Sequence, residues 1–571
     1  MLSSYPKLRH VVSLLDSYLE QRHPQFFGEG ATRPVSGLKR SKVIHDSLWG
    51  TNRFTWRELV LIDSPLLQRL RYIHQTGLAY HVYPCSRHSR FEHSLGVLTI
   101  ASRIFDSLYD RRPGVMLTIA NKISSGPEVH TMERLKQELR LAALLHDTGH
   151  SLFSHASEKV YSQLQIFRDA TEELSDLVGK EKGAGEVISF CLAQTQGVAM
   201  LLDRAEKRLL DDEMDEEIRP INLQNVALLI VGSAVHPHLH FMGEIISSGL
   251  DADKLDYLLR DATGAGLPLR YDLERYLHTV ELEKDYDVDP EGALEKLYRS
   301  TNAGVAARPA GGKIRFPHFD TYRLRLPKRA TSTMEQIVIC KIMLYSYIYH
   351  HQKVRASEGL LERLLTMLVG RWRSGGMSED DIVIKFLDFD DRSIMDSDFL
   401  KSEHADVRDV SYRLANRVLP REVYRLSSAV SHAEGELLQE FFLNLKERTK
   451  RTKLVADLEK RIGDEMLKID SALGKDGPDA LWRTGAWVDA PKPPSVEEVE
   501  LSGESYPVVT IENVFPVEEW TEAYQAHRYF VRIYSFSEHV DVVAKAARIA
   551  LRSVIEIKTE DFFDSCRRHR N

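Results

Sequence analysis

The sequence predicts a mainly α-helical protein, with a helical core followed by a smaller α+β lobe at the C-terminal end. Three observations carry this reading. Apolar residues recur at helical spacing to about Leu473. Beyond a proline cluster at Pro491, Pro493 and Pro494, the segments YPVVTI and YFVRIYSF read as strands before a helix from Val540 to Ile557. At 571 residues the chain also exceeds the roughly 250 to 300 that one apolar core supports, so two or three substructures are expected. The expected division is 1–41 for an N-terminal helix and linker, 42–355 for the main core, 356–480 for a helical extension and 481–571 for the α+β lobe.

Composition excludes several classes. With 43% hydrophobic and 28% charged residues the chain is an ordinary globular one. Its 76 Lys and Arg against 84 Asp and Glu, net charge -8, argue against a chain built to coat nucleic acid, so nucleic acid is not required as a partner. Cys85, Cys191, Cys340 and Cys566 are scattered without a CxxC spacing, pointing to a reducing interior and away from a thiolate zinc site. The opening MLSSYPKLRHVV lacks a signal-peptide core, and no run reaches the roughly 18 apolar residues of a membrane span. A cytoplasmic protein without a membrane partner is expected.

Taken in order, Leu8, Val11, Val12, Leu15, Tyr18 and Leu19 form the stripe of an amphipathic helix ending before His23-Pro24. Gly28 to Gly37 reads as a linker. Val43-Ile44 and Phe54-Thr55 flank Trp49-Gly50-Thr51-Asn52 as a hairpin. Asp63-Ser64-Pro65 then opens a helix expected to run through LLQRLRYIHQTG. From Phe91 to Phe105 a further helix places His93 in line with Val97, Ile100 and Ile104, so this imidazole points into the core. Residues Leu201 to Glu217 read as a solvated helix and acidic loop ending in DDEMDEE. After Ser248-Gly249-Leu250-Asp251, a helix carries Asp253, Asp256, Tyr257, Arg260 and Asp261 on one side and Leu255, Leu258, Leu259 and Ala262 on the other. Ile337 to Val354 reads as one buried helix bearing Lys341, Tyr345, Tyr349, His350 and His351.

The most informative stretch is LRLAALLHDTGHSLFSH, Leu139 to His155. Only Arg140 interrupts the apolar run Leu139 to Leu145, so the helix should be buried on nearly all sides and carry His146 and Asp147 in with it. A buried carboxylate costs several kcal/mol unless neutralised, and a divalent cation would use the imidazole as well. The structural alternative is a hydrogen-bonded pair capping a helix that stops at Gly149.

His93, the His146-Asp147 doublet and Asp253 make an H…HD…D order that resembles the HD-domain metal-dependent phosphohydrolases. Four long stretches extend the likeness. DSPLLQRLRYIHQTG, HSRFEHSLGV, LLHDTGHSLFSH and GLDADKLDYLLRD look like successive motifs of deoxynucleoside triphosphate (dNTP) triphosphohydrolases, above all the eukaryotic sterile-alpha-motif and HD-domain branch. The likeness runs from about Lys42 to Val354, with a weaker match from VDAPKPPS to VFPVEEW, and no sterile-alpha-motif domain is apparent at the N-terminus.

The resemblance implies an all-helical HD core over 42–355 and one divalent metal, Mn, Fe, Mg, Ni or Zn, held by His93, His146, Asp147 and Asp253. It sets Arg90, His150, Lys254, Tyr257 and Lys341 around a triphosphate, with Lys341 where the eukaryotic branch has arginine. Gln75 and Asp261 match residues that hold the sugar 3′-hydroxyl, Tyr349 an aromatic beside the sugar, and Thr76 a leucine that crowds the 2′ position. The implied reaction is hydrolysis at the α-phosphorus to deoxynucleoside and triphosphate. For the leaving oxygen His155 is the expected proton donor, oriented by Glu158, with a plain structural hydrogen bond as the alternative.

A homo-oligomer with a nucleotide activator is a further implication, because Lys42, Val43, Asp63, Gln68 and Arg71 match positions that read a guanine nucleotide at a subunit interface. One departure bears on rate. The eukaryotic branch carries a further His-Glu where this chain reads GKEKGAGEV. Rival expectations are an HD-type phosphodiesterase or 5′-nucleotidase, and a nucleotide-binding regulator with weak turnover.

Overall fold

The computed structural model describes residues 2–31, 39–123, 128–211, 220–285, 321–396, 401, 404–427, 435–474, 481, 484–492, 501–502, 516–555 and 566–567. Most of the linker after Gly28, most of DDEMDEE and all of YPVVTI lie outside them. The fold is mainly α, with small sheets. Among the described residues no single helix is long and apolar enough to cross a membrane.

The apolar run Leu139–Leu145 closes the helix Glu128–Leu145 and is fully buried apart from Arg140. Arg140 is half-buried and forks onto Glu58, itself 0% exposed, through Nε to Oε1 at 2.6 Å and Nη2 to Oε2 at 2.8 Å. Glu58 also accepts from the Thr55 backbone N–H, capping the helix Trp56–Ile62 that follows the hairpin. That hairpin pairs Ser41–Asp46 with Gly50–Thr55; the hairpin is where the sequence predicts it, but its turn is Ser47–Trp49, and Gly50, Thr51 and Asn52, expected in the turn, are paired in the second strand. Against Glu128–Leu145 packs the helix Arg90–Arg111, whose N-terminus is closed by a reciprocal Ser89 and Glu92 box. The N-terminal helix Pro6–Arg22 buries Leu8, Val11, Leu15, Tyr18 and Leu19 against the helices Gln165–Val178 and Ala184–Leu192.

Three expectations are corrected. The helix opening at Pro65 is one turn, Pro65–Gln68, followed by a 3-10 turn, Arg69–Tyr72. From Ile73 onward the backbone groups bond elsewhere: Gln75 N–H donates to the His88 carbonyl, Arg90 N–H to the Ile73 carbonyl, and Gly77 takes φ +53°. The long helix expected over Ile337–Val354 is two, Thr331–Leu344 and Gln352–Ser374, separated by a π turn at Tyr345–Tyr349. The inserted turn re-aims Tyr345 and Tyr349 towards the helix Ala252–Ala265. Finally, the run of helices to Leu473 is interrupted by a strand, Arg421–Leu426, just after Pro420.

That strand joins a three-stranded antiparallel sheet in which Val531–Ser535 lies between it and Trp487–Asp489. With the helices Arg448–Ile469 and Val540–Ile555 the sheet encloses a second apolar core, including Val423, Leu458, Ile462, Ile533, Ala547 and Leu551. This second core therefore draws on both sides of position 480. A second three-stranded sheet, in which Thr321–Pro327 lies between antiparallel Glu281–Asp285 and parallel Leu501–Ser502, has no counterpart in the sequence reading.

Buried charge joins the two cores. Arg355, in the first turn of the helix Gln352–Ser374, donates from Nε to both carboxylate oxygens of Asp489 at 3.1 and 3.2 Å. Arg532 of the central strand lies 3.1 Å from Glu422 and 3.8 Å from Asp489. Since Asp489 is 5% exposed, Asp489→Ala leaves two buried guanidinium groups short of counter-charge. The expected cost is about 3 to 5 kcal/mol, read as a fall in the urea midpoint of unfolding.

Candidate active site

The helix Glu128–Leu145 ends one residue before His146, and a tight turn follows. Thr148 returns its N–H and its hydroxyl to the Leu145 carbonyl. Gly149 is required there because a Cβ would stand 2.1 Å from the Gly185 carbonyl oxygen. The turn leaves His146 and Asp147 buried beside His93 and faces all three towards Asp253 on the helix Ala252–Ala265.

Both imidazoles are tied through Nδ1. His146 donates to the Ala143 carbonyl at 2.8 Å, and His93 to Asp256 Oδ2 at 2.7 Å. Their Nε2 atoms are buried without a hydrogen-bond partner and face the carboxylates. His93 Nε2 lies 3.1 Å from Asp253 Oδ1 and 3.6 Å from Asp147 Oδ2; His146 Nε2 lies 3.5 Å from Asp147 Oδ1 and 3.9 Å from Asp253 Oδ1. Two rings anchored through Nδ1, with Nε2 atoms converging on carboxylates, become the donor set of a divalent cation once Nε2 is deprotonated. His93, His146 and Asp147 offer three ligand atoms all within 4.8 Å of one another, and Asp253, half-buried, stands on the open side.

Electrostatics point the same way. Burial alone would raise the Asp147 pKa, but Arg90 and the surrounding imidazoles hold it well below the carboxylate range. For His93 burial disfavours the charged ring, yet Asp253 and Asp256 outweigh it and push the pKa up to about 10, so without metal a proton occupies this position.

Asp256 was noted on the helix face but given no role by the sequence reading. It is wholly buried, takes a two-pronged ion pair from Arg260 at 2.7 and 2.9 Å, and accepts from Trp49 Nε1 and His93 Nδ1. Gly96 makes room, since a Cβ there would fall 2.0 Å from Asp256 Oδ1. Asp256, Arg260 and Asp261, on the polar side of this helix, are thus buried.

Next to the metal set stands a second group. His150 Nε2 faces Asp147 Oδ1 at 3.4 Å, and burial together with Arg90 pushes its pKa down to about 3. His155 opens the helix His155–Tyr161 with 76% of its side chain exposed, and its Nδ1 lies 3.1 Å from Glu158 Oε2. The two rings meet edge-on at 5.0 Å. Glu158 Oε1 accepts from the Gly185 N–H at 2.9 Å, and its pKa is depressed because His155 and His150 outweigh burial.

Around this centre the other expected residues take definite positions. Arg90 is buried, pairs through Nη1 with Asp147 and through Nε with Ser154 at 2.8 Å, and has a buried Nη2 without a partner. Lys254 bonds the Ser248 carbonyl at 2.6 Å and Asp251 at 2.9 Å. Tyr257 and Lys341 are half-buried on their helices. Tyr349 donates to Asp261, whose other oxygen lies 2.7 Å from His88 Nε2. Gln75 keeps a buried Oε1 without a partner. Thr76 is 7% exposed, and its hydroxyl pairs with that of Ser86 at 3.0 Å. The five residues expected at an activator site lie elsewhere on the hairpin and the Asp63–Tyr72 turns. Lys42, Val43, Asp63 and Arg71 are exposed, and Gln68 bonds the Ile62 carbonyl and Arg71.

One residue escaped the sequence reading altogether. Asp391, 4% exposed, accepts from the backbone N–H of His74 and of Phe153 and from the His74 ring. Phe153 and Ser154 both have positive φ, 49° and 59°, a conformation that side-chain-bearing residues hold only under constraint. Asp391 supplies that constraint immediately before His155, from about 240 residues away. No local pattern marks such a residue.

Metal binding must displace the His93 proton, so affinity for Mn²⁺ should climb with pH between about pH 6 and 9. Calorimetry in buffers of different ionisation enthalpy should register proton release. Asp256→Asn should weaken Mn²⁺ binding by about 10- to 100-fold, because the ring of His93 loses its anchoring charge.

Comparison with known proteins matches this geometry. The HD domain model covers residues 90–260, which contain Arg90, His93, His146, Asp147 and Asp253. An uncharacterised protein of Methanocaldococcus jannaschii is 27% identical over 426 residues, 74% of this chain and 67% of that protein. The deoxynucleoside triphosphate triphosphohydrolase SAMHD1 homolog of Dictyostelium discoideum is 29% identical over 253 residues, 44% of this chain and 41% of its own length. SAMHD1 of Mus musculus is 28% identical over 263 residues, 44% of this chain and 36% of its own length. The match thus spans about two-fifths of those two enzymes. The chain carries an HD domain, and its relatives at this modest identity include deoxynucleoside triphosphate triphosphohydrolases.

Proposed function

We propose that the protein is a metal-dependent dNTP triphosphohydrolase, releasing deoxynucleoside and intact triphosphate. The observation that carries this is the buried, partnerless pair of Nε2 atoms on His93 and His146 facing Asp147 and Asp253, directly beside the His155–Glu158 pair. His93, His146, Asp147 and Asp253 would hold the ion. When bound, it supplies Lewis-acid polarisation of the α-phosphoryl group and a water of lowered pKa.

The rest is done by the chain. Glu158 Oε2 takes the Nδ1–H of His155, which leaves the transferable proton on His155 Nε2, on the open side of the site, for the departing 5′-oxygen. The depressed pKa of Glu158 keeps it anionic, so it stabilises the charged imidazole before transfer. Arg90, through its partnerless Nη2, would bind a phosphoryl oxygen, with His150, Lys254, Tyr257 and Lys341 around the remaining charge. Gln75 Oε1 is a buried acceptor lacking a donor, suited to a sugar 3′-hydroxyl, and Asp261 with Tyr349 forms the adjacent wall. A homo-oligomer activated by a nucleotide at Lys42, Val43, Asp63, Gln68 and Arg71 belongs to the same reading; its support is that four of these side chains are exposed. Sedimentation and rate should then both respond to added GTP.

Incubation with each dNTP and Mn²⁺ should yield triphosphate. Release of pyrophosphate or phosphate would instead indicate a phosphodiesterase or nucleotidase, and binding without turnover a regulator. His155→Ala should keep the ion at His93, His146, Asp147 and Asp253 and keep nucleotide binding, while lowering kcat by about 10²-fold or more. An unchanged kcat would remove His155 from the mechanism.

A further inference from the structure

His150, His155 and Glu158 have a property that proton donation does not use. Each offers one ligand atom, and the three atoms lie within 4.8 Å of one another. His150 Nδ1 is buried without a hydrogen-bond partner and faces Glu158 Oε2 at 3.9 Å, while His155 Nδ1 approaches the same oxygen at 3.1 Å. Neighbouring ligand atoms around a tetrahedral Zn²⁺, with bonds of about 2.0 to 2.2 Å, stand roughly 3.3 to 3.5 Å apart, so these separations bracket what the ion needs.

The surroundings are shaped to keep the three groups together. Glu158 is fixed by the Gly185 N–H on Oε1, which leaves Oε2 for the cluster. A Cβ at Gly185 would fall 2.8 Å from His150 Cε1, and one at Gly183 would fall 2.8 Å from Glu158 Oε1. The backbone of the GAGE segment therefore presses directly on two of the three ligands. His155, 76% exposed, leaves the fourth side open to solvent.

We propose that His150, His155 and Glu158 form a second cation site, distinct from the His93–His146–Asp147–Asp253 set, that takes Zn²⁺. Two imidazoles and one carboxylate with an open position are a zinc donor set, and zinc outcompetes manganese at nitrogen ligands. An ion there occupies His155 Nδ1 and separates it from Glu158, so zinc beyond the first equivalent silences the proton donor. That consequence for rate rests on the function proposed above; the binding itself does not.

The test counts metal rather than turnover. Metal-stripped full-length protein is dialysed to equilibrium against Zn²⁺ and bound zinc is measured by mass spectrometry. Wild type should bind two per chain. His155→Ala and Glu158→Gln should each bind one; both should fold, since His155 is a surface residue and glutamine keeps an acceptor for the Gly185 N–H. His146→Ala should also retain one, now at the second site. Saturation of wild type at one equivalent, or a second equivalent that survives in both His155→Ala and Glu158→Gln, overturns the proposal.

Discussion

Two carboxylates carried into an apolar helical interior set the terms for the rest of this structure. Asp147 and Asp256 are nearly or wholly buried, out of reach of bulk water. Charges in that position persist only if counter-charges and hydrogen-bond donors are brought to them. The chain meets the requirement differently at the two. Asp256 is satisfied entirely by protein, through the Arg260 fork, Trp49 and His93. Asp147 is only partly satisfied, by Arg90 on one oxygen, while its remaining neighbours are imidazole nitrogens.

That asymmetry separates scaffold from chemistry. Asp256 acts as a fixed charge that turns His93, and Gly96 exists in this helix so that it can come close enough to do so. The incomplete satisfaction around Asp147, with two partnerless ring nitrogens, is what a cation completes. A fully neutralised cluster would pack better and bind nothing. The same logic extends along the turn to His150, whose two nitrogens look towards Asp147 on one side and Glu158 on the other.

Geometry at the outer edge of the site is governed from a distance. Of the two strained residues before His155, Phe153 is held by Asp391 and Ser154 by Arg90 and the His74 carbonyl, and the π turn that carries Tyr349 runs into a helix anchored to the second core by Arg355 and Asp489. Residues far along the chain thus set the direction of a candidate proton donor and of the wall that faces it. The helix Gln352–Ser374 and the second apolar core are for this reason part of the site's support.

Much of the centre is legible in the sequence because it follows local periodicity. The apolar run ending at His146 and the stripe that carries His93 determine, by helical geometry alone, that these groups enter the core. The spacing of Glu158 three residues after His155 likewise suffices to bring them within 3.1 Å. Tertiary structure decided what periodicity cannot. Asp253 and Asp256 share one helix face, and only the approach of Gly96, Trp49 and His93 makes one a candidate ligand and the other an anchor. Asp391 and the strand Arg421–Leu426 depend on partners far away in sequence, and a chain's local pattern carries no record of which distant group will arrive.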